Sequence, residues 1–155
     1  MRTHNFGVLM AAPVLGEDPA ARGQTSTADD DSQIDTQSGQ DLVAALRRLG
    51  HEAILLEADD DLDLTLRAAR ITACLLATHG KTGGSGELQG LLALRQIPFA
   101  GPSAAAAALA FDKLRARQIL GFHSLPVPAT LALGGESLDR QALGLLGWPC
   151  VLKPR

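Results

Sequence analysis

The chain has no tyrosine and is only 3% aromatic. Ring platforms on which bases or sugars stack are therefore missing, and the core has to be built from Leu, Ala, Val and Ile. Long apolar runs are absent too. None approaches the ~18 to 20 residues of a membrane-spanning helix, and Met1 to Pro13 holds too short an apolar stretch, without a cleavage pattern, for a secretory signal. The chain reads as cytoplasmic. Basic excess is lacking: Lys+Arg 14 against Asp+Glu 17 gives a formal charge of -3. The basic residues are scattered, which leaves no electrostatic footprint for nucleic acid or an anionic membrane. Cysteine is scarce. Cys74 and Cys150 both sit in apolar, strand-like runs, which predicts buried, reduced thiols rather than a disulfide framework, and two cysteines alone make no zinc site.

What is present is an ordinary globular balance over 155 residues, 46% hydrophobic and 20% charged, near the size of one domain. Asn5 to Ala12 is a short apolar run that suits a buried parallel strand. From Leu15 to Gln37 the composition turns to Gly, Asp, Ser, Thr and Gln with no apolar period, which predicts a long loop. After Ser38-Gly39, Leu42, Ala45, Leu46 and Leu49 recur on one helical face, and Gly50 supplies a left-handed stop. His51 to Leu56 then reads as a strand, Leu62 to Ile71 as a short helix, and Cys74 to Ala77 as a strand running into His79-Gly80. Glu87 to Arg95 reads as a helix and Ile97 to Ala100 as a strand. Ser103 is placed to cap an alanine-rich helix from Ala104, which either runs on or breaks briefly at Phe111-Asp112-Lys113 before Gly121. Ala129 to Leu133 and Cys150 to Leu152 read as strands around a small helix, Leu138 to Leu145. Strands alternating with helices predict an α/β parallel sheet. A boundary near Phe122 divides a unit of residues 1–121 from a remainder, 122–155, too small to bury a core alone. The stop at Lys153-Pro154-Arg155, directly after an apolar strand, reads as a cut in mid-domain.

Two phosphate-binding signatures fail. Gly80-Lys81-Thr82 ends like a P-loop, but the leading glycine would fall on Leu75; Gly84-Ser85-Gly86 opens a dinucleotide fingerprint whose third glycine would fall on Gln89. A glycine-rich loop at the carboxyl end of a parallel strand remains, and such loops either bind ligands or simply make a tight turn. The acidic runs Asp29 to Asp31 and Asp59 to Asp63 lack calcium-loop spacing and read as solvated surface. His4, His51 and His123 have no partner at metal-ligand spacing and read as structural or exposed.

Leu76-Ala-Thr-His79-Gly80, Gly83-Gly-Ser-Gly86-Glu-Leu-Gln89-Gly90-Leu-Leu, Ile97-Pro98-Phe99-Ala-Gly101-Pro102-Ser103 and Ala110-Phe111-Asp112-Lys113-Leu114 follow one another in this order. Together with Leu125-Pro-Val-Pro128 and Gly147-Trp-Pro-Cys-Val-Leu-Lys153-Pro154 they resemble the N-terminal third to half of the D-alanine-D-alanine ligases, within the ATP-grasp group. The resemblance covers nearly the whole chain except the loop Leu15 to Asp30. It implies a three-layer, Rossmann-like parallel-sheet domain preceding the ATP-grasp fold, residues 1–121, followed by the incomplete start of the ATP-binding domain, 122–155. It implies MgATP-dependent phosphorylation of a carboxylate and attack of an amine on the acyl phosphate, in peptidoglycan precursor synthesis for the cell wall. Lys113 and Lys153 then lie over the ATP phosphates, where a compact ammonium neutralises charge. Asp31 stands where the family has a glutamate that holds the ammonium of the first D-alanine. His79 falls near the reacting carboxylate, where the protonation of an imidazole bears on binding around neutral pH. Gly84-Ser85 replaces the family's Glu-Asp.

The lid loop, the magnesium-binding carboxylates and the arginine that stabilises the transferring phosphoryl group are expected beyond Arg155, so this chain alone is expected not to catalyse. A homodimer through the N-terminal unit would fit the family. Two other readings stand beside this one: an ATP-grasp carboxylate-amine ligase with another substrate, favoured by Asp31 and Gly84-Ser85, and a non-catalytic α/β binding module.

Overall fold

The computed structural model describes residues 4–11, 27–133, 143–144 and 146–153, with only the backbone of 27–35. They fall into two compact units, Met1–Ala108 and Leu109–Arg155.

The first unit is a four-stranded, wholly parallel sheet in the order β2-β1-β3-β4. Its strands are β1, Asn5–Ala11; β2, Glu52–Ala58; β3, Ala73–Leu76; and β4, Phe99–Ala100. Parallel strands need crossovers, and helices supply them: α1, Thr27–Arg48, between β1 and β2; α2, Leu62–Ala68, between β2 and β3; and α3, Gly80–Gly84, with α4, Glu87–Leu94, between β3 and β4. Because side chains alternate across a strand, the sheet feeds two cores. Val8, Ala53 and Ala77 meet Val43 and Leu46 of α1 on one face. Leu9, Leu56 and Cys74 meet Leu62, Leu66, Leu88 and Leu92 of α2 and α4 on the other. The result is the three-layer α/β sandwich expected from the alternation of elements.

Helix α1 begins well before the expected Ser38-Gly39, so residues 27–37, read as loop, are helical; residues 15–26 of that expected loop lie outside the described ones. Gly39 is therefore inside the helix. A Cβ there would stand 2.5 Å from Leu55 Cδ1, so the missing side chain lets α1 lie close on the sheet. Leu49, expected on the buried face, is exposed, beyond the end of the helix. At that end Arg47 donates to the Ala53 carbonyl from Nε and Nη2, at 3.1 and 2.7 Å. Across the opposite layer, Arg95 after α4 pairs with Asp63 of α2. No helix among the described residues is long and apolar enough to cross a membrane.

The alanine-rich helix takes the broken form: α5, Ala104–Phe111, and α6, Lys113–Phe122, flank Asp112. Ser103 Oγ accepts from the Ala106 N–H at 3.3 Å, the expected cap. Ala129 to Leu133 and Cys150 to Leu152 form no strand; a strand exists only through ladder hydrogen bonds to a neighbour, and neither segment pairs with a described strand. The expected helix Leu138 to Leu145 lies outside the described residues apart from Leu143 and Gly144, which are helical. Cys74 is buried as expected, whereas Cys150, outside any strand, is exposed.

Candidate functional site

A doubly wound sheet leaves a crevice beyond the carboxyl ends of its strands, where successive crossovers depart to opposite sides. In the order β2-β1-β3-β4 that point lies between β1 and β3. The Ala77 N–H, just past β3, donates to the Leu9 carbonyl at 2.8 Å and fixes the two strand ends together. The chain then passes through Thr78 to His79, the extended residue preceding α3. His79 is exposed at the mouth of the crevice, and its carbonyl accepts from the Gly83 N–H at 3.3 Å.

Asp31 reaches the same edge by a different element. The buried Gly39 packs on Val8 and Leu55 in mid-strand, and Asp31 lies eight residues earlier on α1, about 12 Å up the helix at 1.5 Å per residue. From Val8 to the end of β1 is three residues, or about 10 Å of strand. The backbone of Asp31 is thus level with the carboxyl ends, while its side chain lies outside the described residues.

The loop after β3 is shaped by two glycines. Gly86 has φ of 92° and its Cβ would stand 2.4 Å from the Ala104 carbonyl oxygen, so both conformation and space demand glycine. At Gly83 a Cβ would stand 2.4 Å from the Thr78 carbonyl oxygen. Gln89, buried in α4, donates from Nε2 to the Gly83 carbonyl at 2.9 Å. Where the resembling family carries two carboxylates, Gly84 closes α3 and the Ser85 hydroxyl accepts from the Glu87 N–H at 3.4 Å, so this pair shapes the chain and brings no charge. Gln89 was part of the motif in the sequence, but its role was not legible there. The available signal was one amide in a helix otherwise lined with leucine.

The second unit holds the two lysines. Lys113 is the first residue of α6, and its ammonium lies 5.3 Å from the centre of the Phe111 ring, within cation-π range. Asp112 caps the helix, its Oδ1 accepting from the N–H groups of Leu114 and Arg115, both at 3.1 Å. Lys153 is exposed and outside regular structure. Among the described residues no three His, Cys, Asp or Glu gather as a metal site. His4 and His51, read as isolated, are neighbours, with ring centres 6.0 Å apart and Phe6 beside both. They flank the amino ends of β1 and β2, away from the crevice.

No family model matches the chain. A D-alanine-D-alanine ligase of Stutzerimonas stutzeri is 37% identical over 122 residues, 79% of this chain and 39% of that protein. D-alanine-D-alanine ligase B of Pseudomonas putida is 34% identical over 122 residues, 79% of this chain and 38% of that protein. The crystal structure of the D-alanine-D-alanine ligase of Bacillus anthracis complexed with ATP superposes with a TM-score of 0.73 at 26% identity, covering 95% of this chain and 46% of that one. The chain thus spans less than half the length of these relatives. By sequence and by backbone alike, it is a relative of the D-alanine-D-alanine ligases, corresponding to their N-terminal part.

Proposed function

We propose that this chain supplies the N-terminal part of a cytoplasmic, ATP-dependent ligase that joins two D-alanine molecules through an acyl phosphate, for peptidoglycan precursors. The observation that carries the reading is the relationship to ligases over 79% of the chain, joined to a glycine-rich turn that presents His79 at the β1/β3 switch point. In this reading residues 1–121 bind substrate and 122–155 open the ATP-binding domain. Asp31, on the same edge, receives the ammonium of the first D-alanine, and His79 lies beside the reacting carboxylate. An aspartate is one methylene shorter than the family's glutamate, so the amine sits closer to α1 or is met through water.

Lys113 and Lys153 fit ATP by their chemistry. The Asp112 carboxylate is engaged by two backbone N–H groups, and the adjacent Lys113 ammonium offers a compact positive charge to a phosphate, as does the exposed Lys153. ATP, when bound with Mg2+, supplies the phosphoryl group that activates the carboxylate. In this reading the ligands for the metal belong to the part of the enzyme beyond Arg155. A homodimer through the first unit belongs to the same reading.

The loss of two carboxylates at Gly84-Ser85 favours a second reading, a carboxylate-amine ligase of the same group with a different amino acid. One assay separates them: phosphate release from MgATP by the complete protein. On the first reading D-alanine stimulates it, and L-alanine and other D-amino acids do not. Stimulation by another amino acid, with none by D-alanine, selects the second.

A further inference from the structure

Helix α4 sends Leu88 and Leu92 into the core, yet a carboxamide is buried in the same helix. Gln89 is 1% exposed and is the one buried polar side chain among the described residues. Its Nε2 donates to the Gly83 carbonyl, and its Oε1 has no hydrogen-bond partner. A half-satisfied buried amide costs stability, because the orphaned oxygen gives up its hydration for nothing. Leucine or methionine, of similar volume, would fill the place without that cost. Packing therefore does not account for the amide. What it supplies is the bond to Gly83.

That bond acts on a short turn: helix α3 is five residues long, and one turn of helix is not stable by itself. Gly83 is pressed onto the end of β3, where its Cβ would stand 2.6 Å from the buried, unpartnered Thr78 hydroxyl oxygen. The Gln89 amide ties this turn to a helix whose Leu88 and Leu92 belong to the core.

We propose that Gln89 is a positioning residue: by holding the Gly83 carbonyl it fixes the turn that presents His79 at the crevice between β1 and β3. The claim about the turn rests on the structure, and its consequence for substrate rests on the ligase reading. Gln89→Leu and Gln89→Met, made in the 155-residue chain, are compared by amide hydrogen exchange and thermal unfolding. The expected result is exchange at Gly83 and Ser85 faster by about fivefold or more, the worth of one hydrogen bond, with β1 and β3 unchanged and Tm equal or higher. Gln89→Glu restores the slow exchange at low pH, where its neutral carboxyl donates, and loses it as the carboxyl ionises. Unchanged exchange in the turn, or a lowered Tm with faster exchange throughout, overturns the proposal. In the complete protein the same variants raise the KM for D-alanine. If the turn loosens and D-alanine kinetics do not move, the turn claim stands and the substrate reading of the crevice falls.

Discussion

Cys74 and Cys150 share one side-chain chemistry and differ in surroundings. Burial among the residues around β1 and β3 pushes the Cys74 thiol up from 9.0 to about 11, opposed in part by a hydrogen bond with the Gly7 backbone, while Cys150 is exposed. The reactive species is the thiolate, so at mild alkaline pH Cys150 is expected to take up a thiol reagent at least about a hundredfold faster, and Cys74 only on unfolding. Stability carries the same sign. A thiol whose pKa is raised by folding binds its proton more tightly in the fold. Its contribution is complete below pH 9.0 and lost as pH rises toward about 11, an effect of order 2 kcal/mol. Urea midpoints across that interval should fall more steeply for the native chain than for Cys74→Ala; parallel curves would refute the assignment. The burial of Cys74 was legible because Ala73 to Leu76 is apolar and ends in a turn. Cys150 lies in an equally apolar run, and no local pattern tells a segment with a ladder partner from one without.

Among elements, legibility followed the amphipathic period. Helix α4, α2 and the latter half of α1 lay where apolar residues recur over a core, and the strands lay in short apolar runs. The first turns of α1, from Thr27 through Thr36, escaped because they carry one apolar residue beyond alanine, Ile34, and a helix without an apolar stripe has no period to detect. The site was legible as a glycine-rich loop at a strand end, whereas the level of Asp31 with that edge depends on the unexpected length of α1. The break between α5 and α6 could be anticipated at Asp112 but not decided, since an N-cap declares itself only once the backbone leaves the helix. That cap makes its own prediction. Asp112→Ala frees the N–H groups of Leu114 and Arg115 and should cost about 1 kcal/mol, read as exchange at those two amides faster by about fivefold. Equal exchange in the variant would mean that α6 holds its first turn, and Lys113 with it, without the carboxylate.

At the scale of the molecule the two units differ in how much apolar surface they leave in water. The first buries two cores against one sheet. In the second, Phe122, Trp148, Val151 and Leu152 are each more than three-quarters exposed, although the whole chain has only four phenylalanines and one tryptophan. Large exposed apolar side chains gain by being covered, and the relatives are more than twice as long as the aligned stretch. On the ligase reading, the C-terminal part of the enzyme is the covering that fits. We therefore expect the 155-residue chain to release no phosphate from MgATP by itself. Joined to the C-terminal part of the Stutzerimonas stutzeri relative, it should gain release that depends on D-alanine and is lost with Lys113→Ala or Lys153→Ala. The single tryptophan makes the packing visible apart from the chemistry, because Trp148 emission should shift to the blue when that surface is covered. Turnover by the isolated chain in proportion to its concentration would refute the division of labour. A blue shift without turnover would instead leave the packing intact and place the defect in the crevice, at Asp31 or at Gly84-Ser85.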